Sequence, residues 1–192
     1  MAKVIYVASN NDHKISEIRQ ILTDFDVRPA SCLVEHFEVD ETGKSFCENA
    51  RIKAQALAKY TDEIVLADDS GLEVFALGME PGIYSARYAQ HGNDKANVKK
   101  LLDKMHMLKD RRARFVCCMV AVKGDRMVER TGYVYGTIAP SPQGKGGFGY
   151  DPVFVPDGYD VTFAEMKPEE KNAISHRRRA LEAIKEALKE LL

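Results

Sequence analysis

The order of apolar and polar positions divides the chain into short strands and longer helices. Residues 3–8 alternate as a strand and break into the polar run Ser9-Asn10-Asn11-Asp12-His13. Lys14, Ile18, Ile21 and Phe25 then fall on one helical face, which predicts a helix opening at about Lys14. Residues 27–39 read as extended, and Glu38 to Gly43 is an acidic turn. Ser45 and Glu48 make an S-x-x-E capping box, so a helix is predicted from there to about Lys59. Its stripe is Phe46, Asn49, Lys53, Leu57 and Tyr60, with Ala50, Ala54 and Ala58 as a rival stripe. Residues 64–67 read as a buried strand that ends in a turn at Asp68-Asp69-Ser70-Gly71. A short strand over 72–77 and a helix over 94–108 follow, the helix burying Val98, Leu101, Leu102 and Met105. Two strands, 115–122 and 127–138, join through a hairpin at 123–125, and strand pattern resumes at 152–155. Near the end, Ile174, Leu181 and Leu188 recur every seven residues, with Ile184 and Leu191 as a second series. That regularity predicts one helix over about 173–191.

Cations interrupt three of these apolar stripes. Lys14 heads the stripe of Ile18 and Ile21, and Lys53 lies in line with Phe46 and Leu57. Arg177 stands seven residues before Ile184, where the repeat asks for a leucine. A cation on an inward face either snorkels, pairs with a protein carboxylate or meets an anionic ligand. The strand–polar loop–helix passage at Ser9 to Lys14 suits phosphate, because backbone N–H groups and the positive helix end converge there. It lacks the glycines of a Walker loop. Adjacent acids at Asp68 and Asp69 repel one another and are easiest to keep ionised beside a cation such as Mg²⁺. A plain capping loop explains them equally well, and a solvated loop explains Glu38, Asp40 and Glu41. The loop from Pro140 to Gly149 carries glycines at 144, 146, 147 and 149 and delivers Phe148-Gly149-Tyr150-Asp151. Glycines beside an aromatic let the backbone approach a flat ligand, although Phe148 folded into the core would read the same.

Composition narrows the classes. The 192 residues suffice for one domain or two joined lobes, and 45% are apolar. A formal net charge of -1 argues against binding nucleic acid through bulk charge, while the cluster Arg111, Arg112, Arg114 leaves a local basic patch open. No apolar run reaches the length of a membrane span, and the first residues enter a strand pattern without a signal-peptide cleavage region. Cys32, Cys47, Cys117 and Cys118 match neither a zinc spacing nor a disulfide framework, so a reduced, cytoplasmic protein is expected.

Six stretches, in order along the whole chain, resemble one family: SNNDHK at 9–14, DETGKSFCENARIKA at 40–54, ADDSGLEV at 67–74, PGIYSARY at 81–88, GGFGYDPVF at 146–154 and EEKNAISHR at 169–177. Together they resemble the inosine triphosphate pyrophosphatase family. The resemblance implies an α/β fold with a long, twisted mixed central sheet flanked by helices. It implies a single domain over 1–192 made of two lobes with the active-site cleft between them, and a homodimer. It implies Mg²⁺-dependent hydrolysis of inosine, deoxyinosine and xanthosine triphosphates to monophosphate and pyrophosphate, with no nucleic-acid or membrane partner. Carried over by position, Ser9, Asn10, Asn11 and Lys14 hold the triphosphate and Lys53 adds a cation. Glu41 and Asp69, with Asp68 nearby, hold the metal. Asp69 is the general base and Ser70 touches substrate. Phe148, Gly149, Tyr150, Asp151, Lys171, His176 and Arg177 line the nucleobase and phosphate pocket. Many relatives carry a small residue where this chain has Asp12. Two competing readings are a Maf-like pyrophosphatase for pyrimidine or methylated nucleotides, and a non-catalytic nucleotide- or RNA-binding module.

Overall fold

The computed structural model describes residues 2–192. Its strands are β1 (Lys3–Val7), β2 (Phe25–Pro29), β3 (Ile64–Val74), β4 (Arg112–Lys123), β5 (Arg126–Ile138) and β6 (Phe154–Pro156). Its helices are α1 (Asp12–Ile21), α2 (Phe46–Ala58), α3 (Asp94–Met105), α4 (Pro168–Ile174) and α5 (His176–Ala187). The strands form one mixed sheet in the order β2-β1-β3-β4-β5-β6. β1 runs parallel to β2 and to β3, while β5 and β6 are antiparallel. The expected α/β class, a mixed sheet flanked by helices, is what the chain adopts.

The chain divides into two compact units. Unit 1 comprises Met1–Asp69, Cys117–Gly132 and Arg177–Leu192, and unit 2 comprises Ser70–Val116 and Tyr133–His176. Unit 1 buries Ile5 and Val7 of β1, Ile15 and Ile18 of α1, Leu66 of β3, Met119 of β4, and Leu181 and Ile184 of α5. Unit 2 gathers Leu72, Val98, Leu101, Met105, Phe154 and Phe163. Each fully buried side chain of this size contributes about 1.5–3 kcal/mol.

Four expectations change on the structure. β3 does not stop at Ala67; it continues through Asp68-Asp69-Ser70-Gly71 to Val74. The acids stay in the strand because their side chains find cations within unit 1, as described below. Phe25 belongs to β2 rather than the first helix, since Leu22 caps α1 and its N–H bonds Ile18. The final helix is two helices broken at Ser175, whose ψ of 154° is extended. Ile174 packs in unit 2 while Leu181 and Leu188 pack in unit 1, so the seven-residue spacing across the break is coincidence. Finally, Cys47 and Cys118 form a disulfide, which overturns the expectation of a fully reduced chain without a disulfide framework. Their Cα atoms are 5.3 Å apart because α2 lays Cys47 against β4, a proximity that sequence separation hides.

Candidate active site

In unit 1, the passage from β1 into α1 is shaped by its own side chains. Asn11 caps α1, its Oδ1 accepting the Lys14 N–H at 3.1 Å. Ser9 Oγ accepts the Asn11 N–H, and Asn10 Oδ1 accepts the Ser31 N–H at 2.8 Å. Asp12 starts the helix with its side chain exposed, pointing away from this turn's hydrogen bonds.

The cap aims Lys14 at Asp68, with Nζ 2.7 Å from Oδ1. Asp68 is 4% exposed, and Arg177 Nε lies 3.5 Å from its other oxygen. Cys117 directs its thiol at that same oxygen, 3.7 Å away. Burial alone raises a carboxyl pKa, but here Lys14, then Arg177 and Lys53, outweigh it and hold Asp68 well below the usual range. Asp68 is therefore ionised. Arg177 also donates to Glu17 on α1 at 3.0 Å. Two of the three interrupting cations thus share one buried carboxylate.

Asp69 sits in a different environment. Lys53 Nζ is 3.9 Å from Asp69 Oδ1 and 2.7 Å from Glu41 Oε1. Asn49, 1% exposed, donates its amide to Asp69 Oδ2 at 3.2 Å and accepts the Gly43 N–H at 2.8 Å. It therefore ties the acidic turn to the strand carboxylate. Burial pushes the Asp69 carboxyl up to about 6, opposed by Lys53 and helped by the negative charge of Glu41. A strand carboxylate and a turn carboxylate, both hard oxygen donors with more negative charge than one ammonium offsets, suit Mg²⁺. Elsewhere, the ligand atoms of Cys47, Cys118 and Glu129 lie within 4.8 Å of one another, but the sulfurs are consumed by the disulfide.

In unit 2, which begins at Ser70, the glycine-rich loop presents Phe148 with 66% of its surface exposed. The alternative of a core phenylalanine is thereby excluded. Asp151 is buried and accepts both the Phe148 N–H at 3.1 Å and the Lys171 ammonium at 2.5 Å. Burial raises the Asp151 carboxyl while Lys171 opposes the rise. Lys171 Nζ also stands 4.7 Å from the Phe148 ring centroid. Tyr150 hydroxyl donates to the Ser85 carbonyl at 2.7 Å. His176 stacks on Phe115, centroids 5.0 Å apart and planes 14° from parallel.

Unit 1 thus brings together Ser9, Asn10, Asn11, Lys14, Glu41, Lys53, Asp68, Asp69 and Arg177. Unit 2 carries Ser70, Phe148, Gly149, Tyr150, Asp151, Lys171 and His176. Asn49 and Glu17 were not picked out from sequence as site residues. Asn49 carried the same signal as Lys53, a polar side chain on an inward stripe; Glu17, one turn after Lys14, carried none. The basic cluster is spent inside the protein. Arg111 donates to the carbonyls of Ile138, Ala139 and Met105, Arg112 pairs with Asp110, and Arg114 pairs with Glu73 at 2.7 Å.

Residues 5–187 match the model of the Ham1 family. A Clostridium perfringens protein named dITP/XTP pyrophosphatase is 49% identical, the match covering 99% of each chain. The solved structure of the Staphylococcus aureus Ham1 protein superposes with a TM-score of 0.93 at 46% identity, covering 99% of this chain and all of that one. A Coxiella burnetii HAM1 structure gives a TM-score of 0.92 at 39% identity, over 98% of this chain and 99% of that one. With a family model spanning nearly its whole length and relatives this similar end to end, the chain belongs to the Ham1 family.

Proposed function

We propose that the chain is a nucleoside triphosphate pyrophosphohydrolase that converts ITP, dITP and XTP to the monophosphate and pyrophosphate. The supporting relatives are named for dITP and XTP, and the six motifs quoted above point the same way. The observation that carries the reading is the partly buried Asp69 carboxylate, fixed by Asn49 beside the Lys53 ammonium.

In this reading Asp69 takes the proton of a water whose oxygen forms a bond to the α-phosphorus. The bond from that phosphorus to the α–β bridging oxygen breaks, and pyrophosphate leaves with the electron pair. General-base assistance of this kind is worth about 10²- to 10⁴-fold. Glu41 and Asp69 would hold Mg²⁺, which when bound would supply neutralisation of the charge that grows on the departing pyrophosphate. Asp68 takes the role of counter-ion to Lys14 and Arg177 rather than metal ligand, since both its oxygens already face cations. Lys14, Lys53 and the turn at Ser9, Asn10 and Asn11 hold phosphate oxygens, and Ser70 follows Asp69 as a further hydroxyl contact. Arg177 and His176 supply donors that favour a six-oxo purine over adenine. Phe148 gives the stacking surface, with Gly149, Tyr150, Asp151 and Lys171 shaping its surroundings. Homodimer assembly accompanies this reading from the same resemblance, and a cytoplasmic location is carried with it from the sequence.

Phosphorus NMR of ITP turnover with Mg²⁺ is the test. Pyrophosphate and IMP are expected as first products. Stepwise orthophosphate release, or equal turnover of dTTP and ITP, overturns the assignment.

A further inference from the structure

The loop that presents Phe148 is tied at its base, where the Gln143 N–H bonds the Pro152 carbonyl and Thr162 Oγ1 donates to the Gln143 carbonyl. Inside the turn, Asp151 takes the Phe148 N–H, and at Gly147 an added Cβ would meet the Asp151 carboxylate. Gly146 N–H bonds the Ala164 carbonyl at 3.0 Å, and Tyr150 bonds Ser85. Toward α3, Asp94 Oδ2 accepts the Gly149 N–H at 2.8 Å. Gly149 adopts a φ of 58°, and nothing lies within 4 Å of where its Cβ would stand. Beside this bond, a cavity of about 500 Å³ separates the helix from the loop, lined by Asp94, Val98 and Leu102 on one side and Pro142, Gly149 and Pro152 on the other. Tyr150 is buried in the same apolar cluster as Val98 and Leu101 of α3, so packing anchors the turn one residue on, while at Gly149 itself the Asp94 bond fixes the backbone. Two backbone donors next to the ring, those of Phe148 and Gly149, are spent in holding the loop. They are therefore committed to its shape and are not spare for reading a base edge.

We propose that Asp94 is a positioning residue for nucleobase selection: by holding the Gly149 amide from the first turn of α3, it sets where the Phe148 ring meets the purine. This rests on the function proposed above. Asp94 touches no reacting atom; it acts through Gly149, and its loss is felt in base recognition rather than at the phosphates.

The experiment compares Asp94→Ala, which removes the acceptor, with Asp94→Asn, which keeps an acceptor oxygen but loses the charge at the helix start. Each is assayed with ITP and GTP, and inorganic tripolyphosphate serves as a competing inhibitor that has no base. Loss of one hydrogen bond corresponds to about a three- to tenfold rise in the KM for ITP in Asp94→Ala, with kcat changed less than about twofold. The preference for ITP over GTP narrows, tripolyphosphate inhibits as in the wild type, and Asp94→Asn recovers most of the lost affinity. Unchanged KM and preference in Asp94→Ala overturn the proposal. So does an equal defect in both variants, which assigns the effect to helix-end charge, or a parallel loss of tripolyphosphate inhibition, which assigns it to general damage. If the wild type leaves ITP intact, the functional reading fails on its own, and amide exchange at Gly149 decides the tether. Protection lost in Asp94→Ala and kept in Asp94→Asn supports it, and equal protection refutes it.

Discussion

Lys14 closes a 2.7 Å ion pair with Asp68, a carboxylate that is almost wholly buried and also faces Arg177. Two cations leaning on one buried anion make Asp68 the element of the site whose removal is felt most in stability. Asp68→Ala leaves both cations without their shared partner, and breaking a buried pair in this way costs about 3–5 kcal/mol. Urea denaturation of the variant is expected to show a loss of that order. A loss below about 1 kcal/mol, the value of an exposed pair, refutes the counter-ion role.

Asp69 has the opposite assignment, chemistry rather than support. Asp69→Asn keeps the shape and the Lys53 ammonium but removes the proton acceptor. Turnover of ITP is expected to fall by about 10²- to 10⁴-fold with KM within a few-fold of the wild type. Steady-state kinetics decide it, and a variant that retains a tenth of the normal kcat removes Asp69 from proton transfer.

Much of the site was legible because buried charge breaks a pattern. Lys14, Lys53 and Arg177 were visible as cations where the stripes asked for apolar side chains, and each now has a carboxylate within 4 Å. What stayed hidden depends on partners far away in sequence. The run through Asp68 and Asp69 resembled a turn because strand propensity counts local preference, whereas Lys14 and Lys53 supply the compensation from other elements. The break at Ser175 was masked because Ile174 and Leu181 are both inward-facing, though in different units. Asp94 reads locally as an ordinary first-turn acid, and its bond to Gly149 spans 55 positions.

Phe148 exposes two-thirds of its surface, so it contributes little to the folded state and is free for a ligand. Phe148→Ala is expected to leave thermal stability unchanged while raising the KM for ITP. Aromatic–base stacking worth about 1–3 kcal/mol corresponds to a rise of roughly five- to 150-fold. Inhibition by tripolyphosphate should stay as in the wild type. An unchanged KM means that the ring does not stack on the base.

Asp68 and Asp69 should also give opposite pH dependences to the stability of the metal-free protein. Asp68 has its folded pKa depressed, so its contribution is present above the ordinary value of 3.8 and is lost as pH falls below it. Asp69 is raised to about 6, so its contribution is fully present below 3.8 and disappears as pH rises through 6. A carboxyl moved from 3.8 to about 6 corresponds to at most about 3 kcal/mol, an upper bound that solvent at the partly open site reduces. Asp69→Asn carries no such penalty. In EDTA at pH 7.5 it should therefore resist urea better than the wild type, by about 1–3 kcal/mol, with the gap closing toward pH 4. Added Mg²⁺ should stabilise the wild type at pH 7.5 more than it stabilises Asp69→Asn, because the metal compensates the charge that the variant lacks. Equal urea midpoints for the two proteins at pH 7.5 in EDTA refute the strained Asp69 carboxylate and, with it, the reason the site asks for a divalent cation.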